Sequence, residues 1–240
     1  MGHPVTIIGA GLVGLATAWH LLRRDHPVTV ISREPPGVGA SVVNAGAIAT
    51  ADITPLASLR ALWQAPAWLF DPLGPLSLRW RQLPAMAPWL WRFAAAAGST
   101  QRRRNTAALG ALMASATDDH QDLLHALGAE SLLTGAGALF VYRSAVGRAA
   151  DQEAWDLRKS CGVAFAEVTR ADIEAREPAL GPAAHCGYFV PGWRHYGDPR
   201  DLVLALSDAL TRNGCQFVSG EVSGIALAKG RPRGLRLKDG

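Results

Sequence analysis

The chain has 240 residues, 49% of them hydrophobic and 18% charged, with 25 glycines and 15 prolines. That profile is globular and excludes a disordered or low-complexity chain, and the length suits one large domain or two small ones. The formal charge is only +4. Basic residues are scattered except at Arg102-Arg103-Arg104, which reads as a solvated helix face, so nothing points to nucleic acid.

Cys161, Cys186 and Cys215 are an odd number without a C-x-x-C pair, which argues against a disulfide framework and against zinc. His120 and His125 fall on a predicted helix but five apart, so they do not share a face, and no metal is expected. The run from Pro4 to Leu22 is uncharged apart from His20. No positive segment precedes it, no small-residue cleavage site follows, and Gly9, Gly11 and Gly14 suit a spanning helix poorly. The expected location is cytoplasmic, or peripheral on the inner face of the membrane, and not secreted.

In chain order, Val5–Ile8 is a short β-branched run that predicts a strand. Leu12, Leu15, Ala16, Trp19 and Leu22 follow at helical spacing, and Val28–Ile31 predicts a second strand. Strand, helix and strand within so short a span form a βαβ unit with parallel strands. Residues 35–48, rich in Gly, Pro, Ser and Asn, predict a loop. The stretch 56–97 holds Trp63, Trp68, Trp80, Trp89 and Trp91, five of the eight tryptophans, and is broken by prolines. Met86, Trp89, Leu90 and Phe93 share one helical face there. A longer helix is predicted over 105–127, closed by Gly128. A strand at Leu139–Tyr142, a helix over 148–160, and a short helix opened by the Thr169/Asp172 capping box come next. Gly187–Pro191 reads as a strand, Asp198-Pro199 as the start of a helix running to about Asn213 with Gly214 as its stop, and Gln216–Ser219, Val222–Ala228 and Gly234–Leu237 as strands around turns such as Lys229-Gly230. The chain closes on Asp239-Gly240, a hairpin signal with no strand behind it, which reads as an incomplete chain.

Gly9-Ala-Gly-Leu-Val-Gly14 is a G-x-G-x-x-G motif placed directly after a strand and opening a helix. Its glycines allow the tight turn, the approach of a pyrophosphate and the close packing of helix on strand. The helix amides and dipole then favour the phosphates. This context predicts a dinucleotide site. The acid expected at the end of the second strand for the adenosine ribose is replaced by Ser32, followed by Arg33, with Glu34 two places later. Three functional readings follow: a 2′-phosphate on Arg33 and hence an NADP-binding reductase, Glu34 turned back to the ribose, or a neutral hydrogen bond from Ser32; against them stands an Arg33 that is simply solvated.

Gly9 to Gly14, together with Gly37-Val-Gly-Ala-Ser41-Val-Val-Asn44-Ala-Gly46, resembles the amino-terminal half of the FAD-dependent amino-acid oxidoreductases. Within them the chain is most similar to D-amino-acid dehydrogenases, in the group that holds glycine oxidase and D-amino-acid oxidase. Looser similarity runs through 70–75, 88–93, Glu177-Pro178 and Asp198-Pro199. The resemblance implies an α/β fold: a Rossmann-type FAD-binding domain with a largely helical insertion and part of an α+β substrate domain. The corresponding segments are 1–55 for the FAD-binding βαβ part, 56–135 for the Trp-rich insertion, 136–196 for the partial substrate domain, and 197–240 for the return to the FAD-binding domain.

The resemblance also implies FAD as cofactor and assigns residues to it. Gly9, Gly11 and Gly14, with Leu12 and Val13 between them, would hold the pyrophosphate. Ser32 or Arg33 would meet the ribose and Ser41 the phosphates. Asn44, Ala45, Gly46 and Ala47 would meet the isoalloxazine, and Val222 the adenine. Arg194, His195 and Tyr196 are candidates for substrate contact, set against surface or packing roles. The implied reaction oxidises a D-amino acid or similar small amine by hydride transfer, chemistry that requires positioning more than acid–base groups. The expected electron acceptor is a membrane quinone. The family's later half, with the arginine that clamps the substrate carboxylate, has no counterpart in these residues, so a non-catalytic remnant or cofactor-binding subunit is an alternative. The tryptophan-rich stretch reads as core or inter-domain contact, or else as a membrane-surface patch with Arg60, Arg79, Arg81 and Arg92 at headgroup level.

Overall fold

A computed structural model describes residues 2–71, 80–135 and 137–238. The features read at Pro72 to Pro75, at Arg79 and at Asp239-Gly240 lie outside the described residues, as does the side chain of Trp80.

The first strand, β1 (Val5–Ile8), leads through α1 (Leu12–Leu22) into β2 (Val28–Ser32), as the β-branched runs and the helical spacing between them require. A loop with one 3-10 turn at Ala40–Val42 reaches β3 (Ala47–Ile48). Helices α2 (Leu59–Phe70), α3 (Leu83–Ala96), α4 (Ser99–Met113) and α5 (Ala116–Leu127) follow. Next come β4 (Leu133–Thr134), β5 (Ala138–Tyr142), α6 (Ala145–Ala149) and α7 (Gln152–Ser160). Then β6 (Ala166–Thr169), α8 (Arg170–Arg176), β7 (Cys186–Val190) and β8 (Arg194–Tyr196) lead into the last stretch. It holds α9 (Pro199–Arg212), β9 (Gln216–Ser219), β10 (Val222–Ala228) and β11 (Arg231–Leu237).

These elements form two compact units. The first comprises Met1–Ala47, Asp118–Gly135 and Arg194–Gly240, the second Ile48–Thr117 and Ala136–Trp193. Asp118–Gly135, which the resemblance groups with the Trp-rich insertion, fall in the first unit.

The first unit is built on a parallel sheet of order β1-β2-β9, with Val5 opposite Val28 and Thr29 opposite Gln216. The central strand buries Val28, Val30 and Ile31. Helix α1 covers them with Leu15, Ala18 and Trp19, and packs against α9, whose buried Leu202, Val203, Leu206, Ala209 and Leu210 form one helical stripe. The start of α9 is fixed by the Asp198 carboxylate, which accepts from the Arg200 amide at 2.8 Å, with Pro199 in the first turn. The β10–β11 hairpin turns at Lys229 and Gly230, with φ of 50° and 74°. These are the two left-handed residues that such a tight turn demands.

The second unit holds an antiparallel sheet of order β5-β7-β6. Its core centres on Trp155, 1% exposed, packed with Ala51, Tyr188 and Val190. The Trp155 indole N–H donates to the Tyr142 hydroxyl at 2.7 Å, which donates in turn to Asp151 at 2.9 Å. Arg158 lies over the Trp155 ring at 4.5 Å and donates to the Ala51 carbonyl. The capping box at Thr169 and Asp172 is formed as the sequence predicts.

Three local expectations are corrected. The helix over 105–127 is two helices, because α4 ends at Met113 and the chain restarts with acidic Asp118 and Asp119 in the first turn of α5. The Arg102-Arg103-Arg104 triplet is not wholly solvated: Arg102 is 8% exposed and pairs with Glu153 at 2.6 Å. Finally, Met86, Leu90 and Phe93 are half-buried as a shared face implies, but Trp63, Trp89 and Trp91 are exposed rather than core.

Candidate functional site

At the carboxyl ends of β1, β2 and β9 the first unit opens into a cleft of about 460 Å³. Parallel α/β sheets place their ligands at this end, where the loops leaving adjacent strands part. The wall at the end of β1 is Gly9, Ala10 and Gly11; that at the end of β2 is Ser32, Arg33, Glu34 and Pro35; beyond β9 come Gly220, Glu221 and Val222. The loop of Gly37, Gly39, Ala40 and Ser41 closes the remaining side.

The glycine turn has the shape that a phosphate-binding turn needs. Gly9 sits at φ +105°, and a Cβ built on it meets nothing within 4 Å, so the space above the turn is open. The Gly9 amide is spent on the Ile31 carbonyl at 2.8 Å, which ties the turn to β2. Gly14 is the opposite case: a Cβ there would press on the Gly9 carbonyl oxygen, closer than the 3.0 Å that real Cβ atoms keep. Its absence lets α1 rest on the turn. The helix starts at Gly11 with no side-chain cap and no acid in the first turn, leaving its positive end toward the cleft.

Ser41 sits across this helix start and accepts the Leu12 amide on Oγ at 3.0 Å. The Asn44 side chain braces the same loop, donating to the Ser41 carbonyl and accepting from the Gly46 amide at 2.7 Å. Gly46, at φ +65°, lies against the Tyr196 backbone and accepts the Tyr196 amide at 2.8 Å. Glu221 pairs with Lys238 at 3.3 Å, whereas Arg33 and Glu34 enter none of the ion pairs among the described residues.

The structure therefore brings Gly9, Gly11, Ser32, Arg33, Ser41 and Val222 to one cleft. Leu12, Val13 and Gly14 form the first turn of the helix beside it. Asn44, Ala45, Gly46 and Ala47 do not line the cleft; Asn44 and Ala45 stand exposed on the loop beyond Ser41, and Ala47 is exposed at the start of β3. Arg194, His195 and Tyr196 occupy β8, which pairs antiparallel with β4. Tyr196 is 7% exposed and its hydroxyl lies 2.7 Å from His120 Nδ1. Burial pushes the phenol up to about 12 and holds the His120 imidazole below its ordinary value.

Gly37, Gly39, Gly220 and Glu221 line the cleft and are not among the residues assigned from the sequence. The available signal was topological. A strand pairing parallel with β2 must end at the same edge, so the residues after β9 belong to the site.

The sequence matches the family described as FAD dependent oxidoreductase over residues 4–240. It is 34% identical over 230 residues to a D-amino-acid oxidase of Bradyrhizobium diazoefficiens, covering 95% of this chain and 54% of the relative. With a D-amino acid dehydrogenase of Phenylobacterium zucineum it shares 28% identity over 98% of this chain and 56% of the relative. Among solved structures, glycine oxidase from Bacillus cereus superposes with a TM-score of 0.62 at 15% identity, over 100% of this chain and 52% of that one. An L-amino acid deaminase from Proteus vulgaris gives 0.64 at 12% identity, over 99% and 44%. The chain thus spans about half the length of the relatives it matches.

Proposed function

From the premise that the chain belongs to the FAD-dependent oxidoreductase family, we propose that the cleft at the end of β1, β2 and β9 is its FAD site. The further proposal is that the whole protein oxidises a D-amino acid or a similar small amine. The observation that carries the reading is the open glycine turn facing Ser32, Arg33, Glu34 and Val222 across one cavity. The residues fit the cofactor: Gly9 leaves free the space that a Cβ would enter, and the start of α1 offers amides to a pyrophosphate.

Gly9, through the space it leaves open, and Gly11 with the amides of Val13 and Gly14 hold the pyrophosphate in this proposal. Ser41 orients the Leu12 amide and contacts the phosphates. Ser32 and Arg33 flank the ribose, and Glu34 supplies the acid that Ser32 does not. Val222 borders the adenine. Asn44, Ala45, Gly46 and Ala47, braced by the Asn44 side chain, form the loop under the isoalloxazine. Bound flavin supplies there an acceptor for the hydride leaving Cα of the amino acid, whose amine becomes an imine. The electron acceptor in this proposal would be a membrane quinone. Tyr196, whose hydroxyl is engaged by His120, acts in packing rather than on substrate. The NADP alternative raised by Ser32-Arg33 gives way to FAD, on which the family depends.

The test is a visible absorption spectrum of the desalted chain after incubation with FAD, followed by anaerobic titration with a panel of D-amino acids. The same titration is run on a chain extended to the length of the relatives. Flavin bands that persist, and bleach in the extended chain with a D-amino acid but not with its L-enantiomer, are expected. Loss of all flavin on desalting from both chains refutes the cofactor site, and flavin that no D-amino acid bleaches refutes the substrate class.

A further inference from the structure

We infer that the exposed apolar surfaces of α2 and α3 in the second unit dock on an anionic lipid bilayer. This reading does not depend on the FAD site, since it concerns other residues and another unit. Helix α3, Leu83–Ala96, contains a single polar residue, Arg92, yet buries none of its side chains. A helix that is apolar all round is normally enclosed by protein or lipid. Here Trp91 is 78% exposed, and Trp89 is 56% exposed. On α2 the exposed residues Leu59, Trp63, Pro66 and Ala67 fall at i, i+4, i+7 and i+8, a single stripe. Trp63 is 85% exposed and Leu56, just before the helix, 87%. These side chains are the large amphipathic and aliphatic groups that settle at the boundary of headgroups and acyl chains.

Charge selects the occupant. Between Ile53 and Thr117 the sequence carries seven arginines and one acid, Asp71, while the whole chain has a net charge of +4. The remainder of the chain is therefore net acidic, and the positive charge is gathered in the stretch of sequence that carries the exposed tryptophans. Arg60 and Arg102 are held by Asp151 and Glu153. Arg81, Arg92, Arg103 and Arg104 are exposed and enter none of the ion pairs among the described residues. Exposed apolar helices in a stretch where seven arginines outnumber one acid complement anionic headgroups, each cation adding about fivefold to partitioning. No helix among the described residues is long and apolar enough to cross a membrane, so the proposed mode is to lie on the surface.

The experiment is flotation of the purified chain with vesicles of phosphatidylcholine alone and of phosphatidylcholine mixed with phosphatidylglycerol, read also by tryptophan emission. The chain is expected to float with the anionic vesicles at least about tenfold better than with the neutral ones, to shift its emission to the blue, and to be released by salt. Trp63→Asp with Trp91→Asp is expected to abolish flotation with the circular dichroism unchanged, because neither side chain is buried. Arg92→Glu with Arg103→Glu, which leaves the tryptophans in place, is expected to remove the preference for anionic lipid. Absence of flotation at low salt overturns the inference, as does flotation unaffected by the tryptophan pair. A concentration-dependent dimer that the tryptophan pair dissociates, without lipid binding, assigns the face to a second copy and overturns it. Flotation of this chain but not of one extended to the relatives' length assigns the face to the added polypeptide and also overturns it.

Discussion

Replacing Gly14 by alanine sets two backbone effects against each other. In a helix interior alanine is favoured over glycine by about 1 kcal/mol. At position 14, however, the new methyl overlaps the Gly9 carbonyl oxygen and comes within 3.4 Å of Ile7 Cγ2. The carbonyl has little room to retreat, because the Gly9 amide is tied to Ile31 at 2.8 Å and the turn is continuous with β1. Overpacking that forces a backbone shift costs about 1–3 kcal/mol, occasionally more, and a contact of Cβ on backbone lies at the upper end. The net expectation is a loss of about 2 kcal/mol, or about 4–8 °C in melting temperature for a chain of this size. Gly11→Ala separates stability from binding. Its Cβ would stand 3.1 Å from Ser41 Oγ, which needs to give by only a few tenths of an ångström and can do so while still accepting the Leu12 amide, and Gly11 has an extended conformation open to any residue. That variant should melt close to the parent yet lose flavin, because the methyl enters the cleft. Thermal melts by far-ultraviolet circular dichroism, with flavin retention after desalting, measure both. A Gly14→Ala melting temperature equal to or above the parent's refutes the packing argument, and a Gly11→Ala variant that keeps flavin sinks the assignment of the cleft.

Further outcomes follow from the same geometry. Ser32→Asp should tighten FAD and Glu34→Gln weaken it by about tenfold each, as expected of a charged hydrogen bond to a ribose hydroxyl; calorimetric titration showing no change in either excludes these residues from the ribose. Burial lowers the His120 value below 6.5, so the native state favours neutral imidazole. Stability should be complete above about pH 6.5 and decline as pH falls through the lowered native value, a slope that His120→Gln reduces in urea titrations across that range. Tyr142 and Tyr196 are both pushed from 10.0 up to about 12. Their contribution is present below pH 10 and is lost as pH rises toward 12, so tyrosinate absorbance should appear late and together with unfolding. Thr169→Ala removes the side-chain acceptor of the Asp172 amide and should cost about 1 kcal/mol by urea melt.

Much of the first unit was legible because its signals are local. The β-branched runs at 5–8 and 28–31, the glycine turn between them, the Asp198-Pro199 start and the Lys229-Gly230 hairpin each depend on the backbone freedom or hydrogen-bonding capacity of neighbouring residues. Less legible were the break at Ala114-Ser115 and the strands β3, β4, β6 and β8. Those short segments are held by partners distant in sequence, as Thr134 is by His195. Arg102 illustrates the same limit, since a run of three arginines says nothing of the Glu153 on α7 that draws one of them inward.

The sequence by itself determined that a βαβ unit opens on a glycine turn with the positive end of a helix behind it, because φ preference and helical periodicity act over a few residues. It also determined, through Ser41, Asn44 and the glycines beside them, which family the chain resembles. Only the tertiary structure decided that the Ser41 hydroxyl meets the Leu12 amide, that Gly220 and Glu221 complete the cleft beside Val222, and that Trp63 and Trp91 stand outside the core. Those outcomes depend on which distant strand pairs with β2 and on which helix faces find an apolar partner. Neither is encoded in the spacing of adjacent residues, since pairing and burial are properties of the folded surface as a whole.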